Sequence, residues 1–415
     1  MSVSALDHVL LRRQAILDAK SELVGYSLAL AEGSPPALPE NTRVAALVCA
    51  AYAELGIRSA LGQKLAYLHA DPGFIHDDVI EALPPDGVVL ELVLDPDLAP
   101  DAPTLERCRA LRERHYALAL ADYRGLDERS RPLLALVDII QIDIRGRDGD
   151  ALQQLAGPLL HLPLKLQAVG VDTPADFSRC RALGFHLFQG NHFAQAETVS
   201  GRRLSPTQAG LIQVINLAAR DVDTARLEER IKHEPALAVN LLRIVNSVGF
   251  GLGRRITSLR QAITLLGRRQ LMRWLQLLLM TPAGQAPDAQ RQPLLQVAAL
   301  RGRMMEILAE RSHPRQRPLA DQAFIAGLMS MMPAALGLPM PEIIAQIDLE
   351  AEIVAALDTR AGPLGHLLAL IEAYDAEDAH ACATLLAAHP AAQLTLGLLN
   401  ASLADALRWV NGEAN

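Results

Sequence analysis

The sequence predicts an α/β half followed by an all-α half. Three observations carry this: short strand-like runs alternate with helical stretches up to about Val169, a polar stretch separates residues 196–206, and nearly everything beyond has helical period. The expected boundaries are 1–195 for the first domain, 196–206 for a linker and 207–415 for an all-helical domain.

In the first half, Val9–Ala19 and Glu22–Leu30 flank Lys20 and Ser21 and read as two strands and a turn. Ala45–Leu55 has helical period, and Lys64–His69 and Gly87–Leu94 read as strands. Pro103–Tyr116 reads as a helix, with Thr104 as its cap and Glu106 as an acid suited to its first turn. Ala117–Tyr123, Ile139–Ile144 and Leu164–Val169 are further strands. Strands alternating with helices indicate a parallel sheet covered by helices, open or closed into a barrel. A full βα barrel takes about 250 residues, with about 200 near the lower limit. A trimmed barrel is therefore expected.

In the second half, Ser205 suits a helix cap and Pro206 the first helical turn. Gln208–Arg220, Thr224–His233, Ala236–Ser247, Leu259–Leu266, Arg268–Met280 and Leu294–Arg311 repeat apolar residues at three- and four-residue spacing. Breaks fall at Glu234-Pro235, Gly249–Gly253 and Pro282–Pro287. Leu319–Met331, Pro341–Gln346, Glu350–Leu357, Leu364–Tyr374, His380–Leu386 and Ala391–Val410 continue the pattern.

Composition narrows the function. The 415 residues carry 39 Lys+Arg against 47 Asp+Glu, a net charge of −8, and only 4% are aromatic. An acidic, aromatic-poor chain argues against a general polyanion binder or a stacking platform, so no nucleic-acid partner is expected. Cys49, Cys108, Cys180 and Cys382 form no C-x-x-C pair, which predicts buried thiols rather than zinc or disulfides. The N-terminus shows no secretory signal. Leu271–Met280, the most apolar stretch, is interrupted by Arg273 and Gln276 and is shorter than the ~18 residues of a membrane span. The expectation is a soluble cytoplasmic protein without a membrane partner.

Two linked patterns carry a resemblance. Leu204-Ser205-Pro206, His233 to Leu237, Leu241 to Ser247, and Ile256 to Ile263 followed by Leu265 to Leu271 are similar to the opening of the HDOD domain. Val24-Gly25-Tyr26, Val171-Asp172-Thr173 and Gly184 to Gly190 resemble the EAL domain, the cyclic di-GMP phosphodiesterase barrel. Their order resembles the bacterial EAL–HDOD (YuxH-like) signalling proteins. The resemblance implies a trimmed or degenerate βα (TIM-like) EAL barrel followed by a helical, HD-related HDOD domain.

The resemblance also implies a two-metal phosphodiesterase site, in which metal ions activate water and neutralise charge at phosphorus. Several implied ligand positions hold other residues: Ser27, Ala121, Gln141 and Val169, with His69 near the position of an amide ligand. Glu91, Asp122 and Gln189 keep ligand-type side chains and are the candidate residues of a remaining cleft; polar residues at a barrel mouth are the structural alternative. All four lysines, Lys20, Lys64, Lys165 and Lys232, lie outside 65–164, so the family's strand lysine is missing. In the second half, Ser330 and Met331 stand where an HD enzyme needs its His-Asp doublet. The expectation is a protein that is not an enzyme, with no catalytic residue, metal site or cofactor. It acts through a protein partner in a bacterial signalling pathway: a diguanylate cyclase, kinase or regulator. Cyclic di-GMP as a ligand and a homodimer stay open, as does residual phosphodiesterase activity.

Arginines 254, 255, 260, 268, 269 and 273 crowd around a predicted helix pair, with Trp274 beside them. Arg and Trp dominate many interfaces when desolvated, which makes Arg268, Arg269 and Trp274 the partner-binding candidates. Solvated helix faces and ion pairs are the structural alternative for the arginines.

Overall fold

The computed structural model describes residues 11–30, 61–62, 64–94, 99–127, 130–192, 205–220, 222–246, 256, 258–281, 293–388 and 394–411. The expected helix Ala45–Leu55 and the breaks at Gly249–Gly253 and Pro282–Pro287 lie outside them.

β1 (Leu11–Asp18) and β2 (Leu23–Leu30) form an antiparallel hairpin. Its turn is built by the Asp18 carboxylate, which accepts the Lys20 and Glu22 N–H groups at 2.8 and 2.9 Å. β3 (Leu65–Ala70), β4 (Val88–Leu92), β5 (Ala117–Leu120), β6 (Ile139–Asp143), β7 (Lys165–Val169) and β8 (Leu187–Gln189) follow in parallel. β8 then pairs antiparallel with β1 and closes the barrel.

The barrel has all eight strands, so the shortening falls on the connections. A four-residue helix, Arg131–Leu134, stands between β5 and β6. Only Pro72–Ile75 and two 3₁₀ turns separate β3 from β4. β8 has three residues, too few to display the alternation by which strands are read from sequence. The helix after β4 runs Ala102–Glu113 and is capped by Asp101, not Thr104: the Asp101 carboxylate accepts the Thr104 N–H at 2.9 Å. Asp sits one turn earlier and its acceptor reaches the free amide, as a capping residue's must.

The strands' two-residue period sets one face of each toward the interior. Ile16, Tyr67, Val89, Ala119, Ile139 and Leu187 meet there as one apolar layer. Gly190, just past β8, has φ +153, and a Cβ there would lie 2.2 Å from the Val171 carbonyl oxygen. Backbone cannot yield as a flexible side chain does. Gly190→Ala is expected to cost about 3 kcal/mol through strain and displaced packing, read as a lower urea midpoint.

The helical region opens at Pro206–Ala219 with a capping box: the Ser205 hydroxyl accepts the Gln208 N–H at 3.2 Å, and the Gln208 side chain accepts the Ser205 N–H at 3.0 Å. Thr224–Lys232 and Pro235–Val245 follow as expected. Leu259–Leu279 is interrupted at Gly267 (φ 72°, ψ 161°), the point at which the sequence separates two helices. Pro293–Ser312, Arg317–Met329 and Ala351–Thr359 supply the buried Leu308, Phe324 and Ile353.

The chain divides into two compact units: Met1–Gln195 with Gln290–Pro293 and Leu370–Asn415, and Ala196–Ala289 with Leu294–Ala369. Residues 370–415 thus cluster with the barrel residues, whereas the sequence assigns them to the helical domain. Periodicity marks a helix, but not the core it joins. One stretch, Pro318–Leu336, is long and apolar enough to cross a membrane by length and composition, and most of it is buried in the protein. The sequence reading takes Leu271–Met280 as the most apolar stretch and as too short to span; both stretches contribute core side chains.

Candidate functional site at the barrel mouth

One step beyond the apolar layer, toward the C-terminal ends of the parallel strands, the same inward face turns polar. βα barrels place their functional groups at this end. Ser27 on β2, His69 on β3, Glu91 on β4, Gln141 on β6, Gln167 on β7 and Gln189 on β8 occupy it, joined by Gln14 on the antiparallel β1. Each lies two residues from, or in register with, a member of the apolar layer, so the strand period alone brings them together.

Glu91 is the centre of this ring and is only 1% exposed. One of its oxygens accepts a hydrogen bond from Gln141 Nε2 at 2.6 Å. The other accepts from the Ser27 hydroxyl at 3.1 Å and lies 3.1 Å from His69 Nε2. A buried carboxylate is costly unless its oxygens are answered, and these three side chains answer both. Burial, and then the charge of Glu91, push the Tyr67 hydroxyl well above the ordinary phenol range. Beside this cluster runs an amide chain: Gln167 Nε2 donates to Gln189 Oε1 at 2.7 Å, and Gln189 Nε2 donates to Gln14 Oε1 at 2.8 Å. Gln167 Oε1 is buried and accepts no hydrogen bond among the described residues.

Charged groups lie at the strand ends and on the loops that follow. Asp143 accepts from Arg145 at 2.6 Å. Burial alone would push the Asp143 carboxyl up, but hydrogen bonds and charge from Arg145, with Arg147 beyond, hold it below the usual range. Asp122, at φ 49°, pairs with Arg124 at 2.5 Å. The Asp172 carboxylate accepts the Asn191 N–H at 3.2 Å.

The structure therefore brings Glu91 together with Ser27, His69 and Gln141, puts Gln189 in the neighbouring amide chain, and leaves Asp122 on a loop with Arg124. Gln14, Gln167 and Tyr67 are missed by sequence reasoning. Their signal was an inward parity shared with Glu91 across neighbouring strands, visible only once the register is known.

A two-metal centre of the kind the resemblance implies does not fit these residues. Among the described residues, no three His, Cys, Asp or Glu side chains are placed to hold a metal ion. Hard cations need several oxygen ligands, whereas both Glu91 oxygens are held by neighbouring side chains.

In the helical unit, Arg268 donates to the carbonyls of Ala218 and Val222 and so tethers the end of the Pro206–Ala219 helix. Trp274 is 5% exposed and contributes to the core. Arg269 is exposed at its side chain and pairs with Asp321 at 3.1 Å. Arg301 donates to the Ser330 hydroxyl at 2.8 Å, at one residue of the missing His-Asp doublet.

Residues 205–351 match the model of the HDOD domain. This part of the chain is an HDOD domain. A closed eight-stranded barrel precedes it in the chain, the order of parts that the sequence patterns suggest. Over 377 residues it is 28% identical to a Vibrio cholerae protein named cyclic di-GMP phosphodiesterase CdgJ, covering 88% of this chain and 84% of that one. Over 385 residues it is 23% identical to Bacillus subtilis YuxH, covering 91% and 93%. Among solved structures, Klebsiella pneumoniae BlrP1, in a manganese and cy-diGMP complex, is 22% identical with a TM-score of 0.37, covering 44% of this chain and 54% of that one.

The Vibrio relative corrects one expectation. The sequence reading takes the chain not to be an enzyme, yet a protein similar to this chain over most of its length is named a phosphodiesterase. Ser27, His69 and Gln141, which stand where the resemblance implies other residues, form one polar cluster with the retained carboxylate of Glu91.

Proposed function

We propose that this chain works in cyclic di-GMP signalling, with the polar mouth of the barrel as the dinucleotide site and the HDOD unit as the part that engages a protein partner. The observation that carries the reading is the polar ring centred on Glu91 at the C-terminal ends of the strands. The name and coverage of the Vibrio relative support the choice of ligand. Glu91 and Gln189 line this site, and Asp122 belongs to its loop rim. Amides and hydroxyls suit the edges of guanine bases, which offer both donors and acceptors. The phosphates must stay clear of the Glu91 carboxylate or approach it with a cation. At the HDOD unit, Arg269 is the partner-binding candidate with an exposed side chain.

Calorimetric titration of the full chain with cyclic di-GMP, with and without Mg²⁺, tests this. Saturable binding with a Kd on the order of tens of micromolar, about −6 kcal/mol, is expected. Gln189→Leu, which cuts both amide links, is expected to weaken it several-fold. Chromatography of the same samples checks turnover: linear dinucleotide that depends on protein and is lost in Glu91→Gln extends the reading to hydrolysis. Neither saturable heat nor linear product at about ten times the expected Kd would overturn the reading.

A further inference from the structure

The loop after β6 carries two arginines that are anchored on one residue. Ile139, Gln141 and Asp143 share the inward parity of β6, so Asp143 stands one step above Gln141 at the mouth. Its carboxylate accepts from Arg145 Nε at 3.0 and 3.1 Å and from Arg145 Nη2 at 2.6 Å. Its main-chain oxygen accepts from Arg147 Nε at 2.9 Å. Between the two arginines, Gly146 has φ 71°, and the Arg147 N–H closes the turn on the Ile144 carbonyl at 3.1 Å. Gly170, just past β7, gives the Arg145 stem its place: a Cβ there would lie 2.8 Å from Arg145 Cγ.

Each guanidinium is thus held by its Nε and keeps terminal nitrogens for something else. The Arg145 side chain is 67% exposed, and its Nη1 edge faces away from the bonds to Asp143. Arg147 is half-buried; among the described residues its two terminal nitrogens have neither a hydrogen bond nor an ion pair, and neither is sealed from solvent. Of the acids around them, Asp143 is held by Arg145, Asp122 by Arg124, Asp172 by the Asn191 N–H and Asp148 by the Ala151 N–H, while Asp150 is exposed on the next helix. Forked donors that are fixed before binding suit phosphate oxygens, because little side-chain freedom is left to lose. They also lie beyond the layer of Glu91, whose carboxylate would repel a phosphate.

We infer that Arg145 and Arg147 form a phosphate clamp at the rim of the barrel mouth, which takes the phosphodiester groups of the dinucleotide and supplies their counter-charge without a metal ion. The inference rests on the cyclic di-GMP reading above and adds to it the residues that carry the phosphates. Asp143 is the positioning residue of the clamp.

Calorimetry with cyclic di-GMP on the full chain tests this at two salt concentrations, about 50 and about 300 mM, in Mg²⁺ and in EDTA. Wild type is expected to bind equally well in Mg²⁺ and in EDTA, and less well at the higher salt. Arg147→Gln places an amide nitrogen where Arg147 has Nε, so it can keep the bond to the Asp143 carbonyl while losing the terminal fork. It should hold its melting temperature, bind about tenfold more weakly and lose much of the salt dependence. Gln189→Leu, weakened at the amide chain, should keep the salt dependence of wild type. Asp143→Asn combined with Arg145→Gln removes the other fork at constant net charge and should weaken binding several-fold, which keeps the test independent of how Arg147→Gln folds. If wild type shows no saturable binding, the cyclic di-GMP reading fails and the clamp with it. If wild type binds but both arginine variants bind equally well, or if binding appears only with Mg²⁺, the reading stands and the clamp is overturned. An Arg147→Gln protein that binds more weakly with the salt dependence of wild type also overturns it, since the arginine then acts through the shape of the turn.

Discussion

Glu91→Ala is expected to lower the stability of the chain by about 3 kcal/mol. The substitution removes the acceptor of Gln141 Nε2 and of the Ser27 hydroxyl, both in the barrel interior. Each buried donor left unpaired costs about 1–3 kcal/mol, and a cavity adds to this. Relief of a desolvated charge offsets part of the loss, which is why the estimate is below the sum of those costs. Glu91→Gln should cost less, because it keeps the volume and one acceptor oxygen, and the Ser27 hydroxyl can turn to accept. Denaturant unfolding followed by circular dichroism checks the order wild type, Gln, Ala. An alanine variant as stable as wild type would show that the ring does not depend on its carboxylate.

The second large effect belongs to the helical unit. Arg273 is 9% exposed, bonds Glu306, reaches Asp321 at 3.2 Å, and lies 4.0 Å over the ring of Phe324. Arg273→Met keeps an apolar stem but leaves the buried Glu306 with Arg303 at 2.7 Å as its remaining cation. Breaking a buried pair by removing one partner costs about 3–5 kcal/mol, and the remaining Arg303 brings the expected loss toward the lower figure. The cation–π contact contributes to that loss. Arg273→Met combined with Glu306→Gln should recover about 1–2 kcal/mol of it, because no uncompensated charge remains. If the double variant is no more stable than the single one, the two groups are uncoupled.

Much of the architecture was legible in the sequence because it rests on local rules. The hairpin at Lys20-Ser21, the parallel strands from Leu65 to Val169, and the entry of the helical region at Ser205-Pro206 all follow from period and turn chemistry. Two features did not. β8, with three residues, has no period to read, and its role as the strand that closes the barrel depends on pairing with both β7 and β1. The last helices, Ala379–Ala388 and Leu396–Val410, are legible as helices, whereas their grouping with the barrel residues depends on contacts between remote segments.

The site divides in the same way. Glu91 and Gln189 could be singled out from motifs, and Ser27 and Gln141 could be noted as departures from them. Their convergence on one carboxylate could not, since it needs residues 64 and 50 positions apart to meet across the barrel. Arg268, Arg269 and Trp274 were grouped as neighbours along the chain. A helix turns neighbours to different sides, so Trp274 went to the core, Arg268 to the carbonyls of another helix, and Arg269 to an exposed ion pair. What the sequence determined by itself was the identity and order of the elements and the parity of each strand, because these depend on residues near one another in the chain. What only the tertiary structure decided was which polar groups are paired and which, among the described residues, are left over, from the answered oxygens of Glu91 to the unanswered oxygen of Gln167. Pairing depends on distances between remote segments, and those exist only after the barrel has closed and the helices have packed.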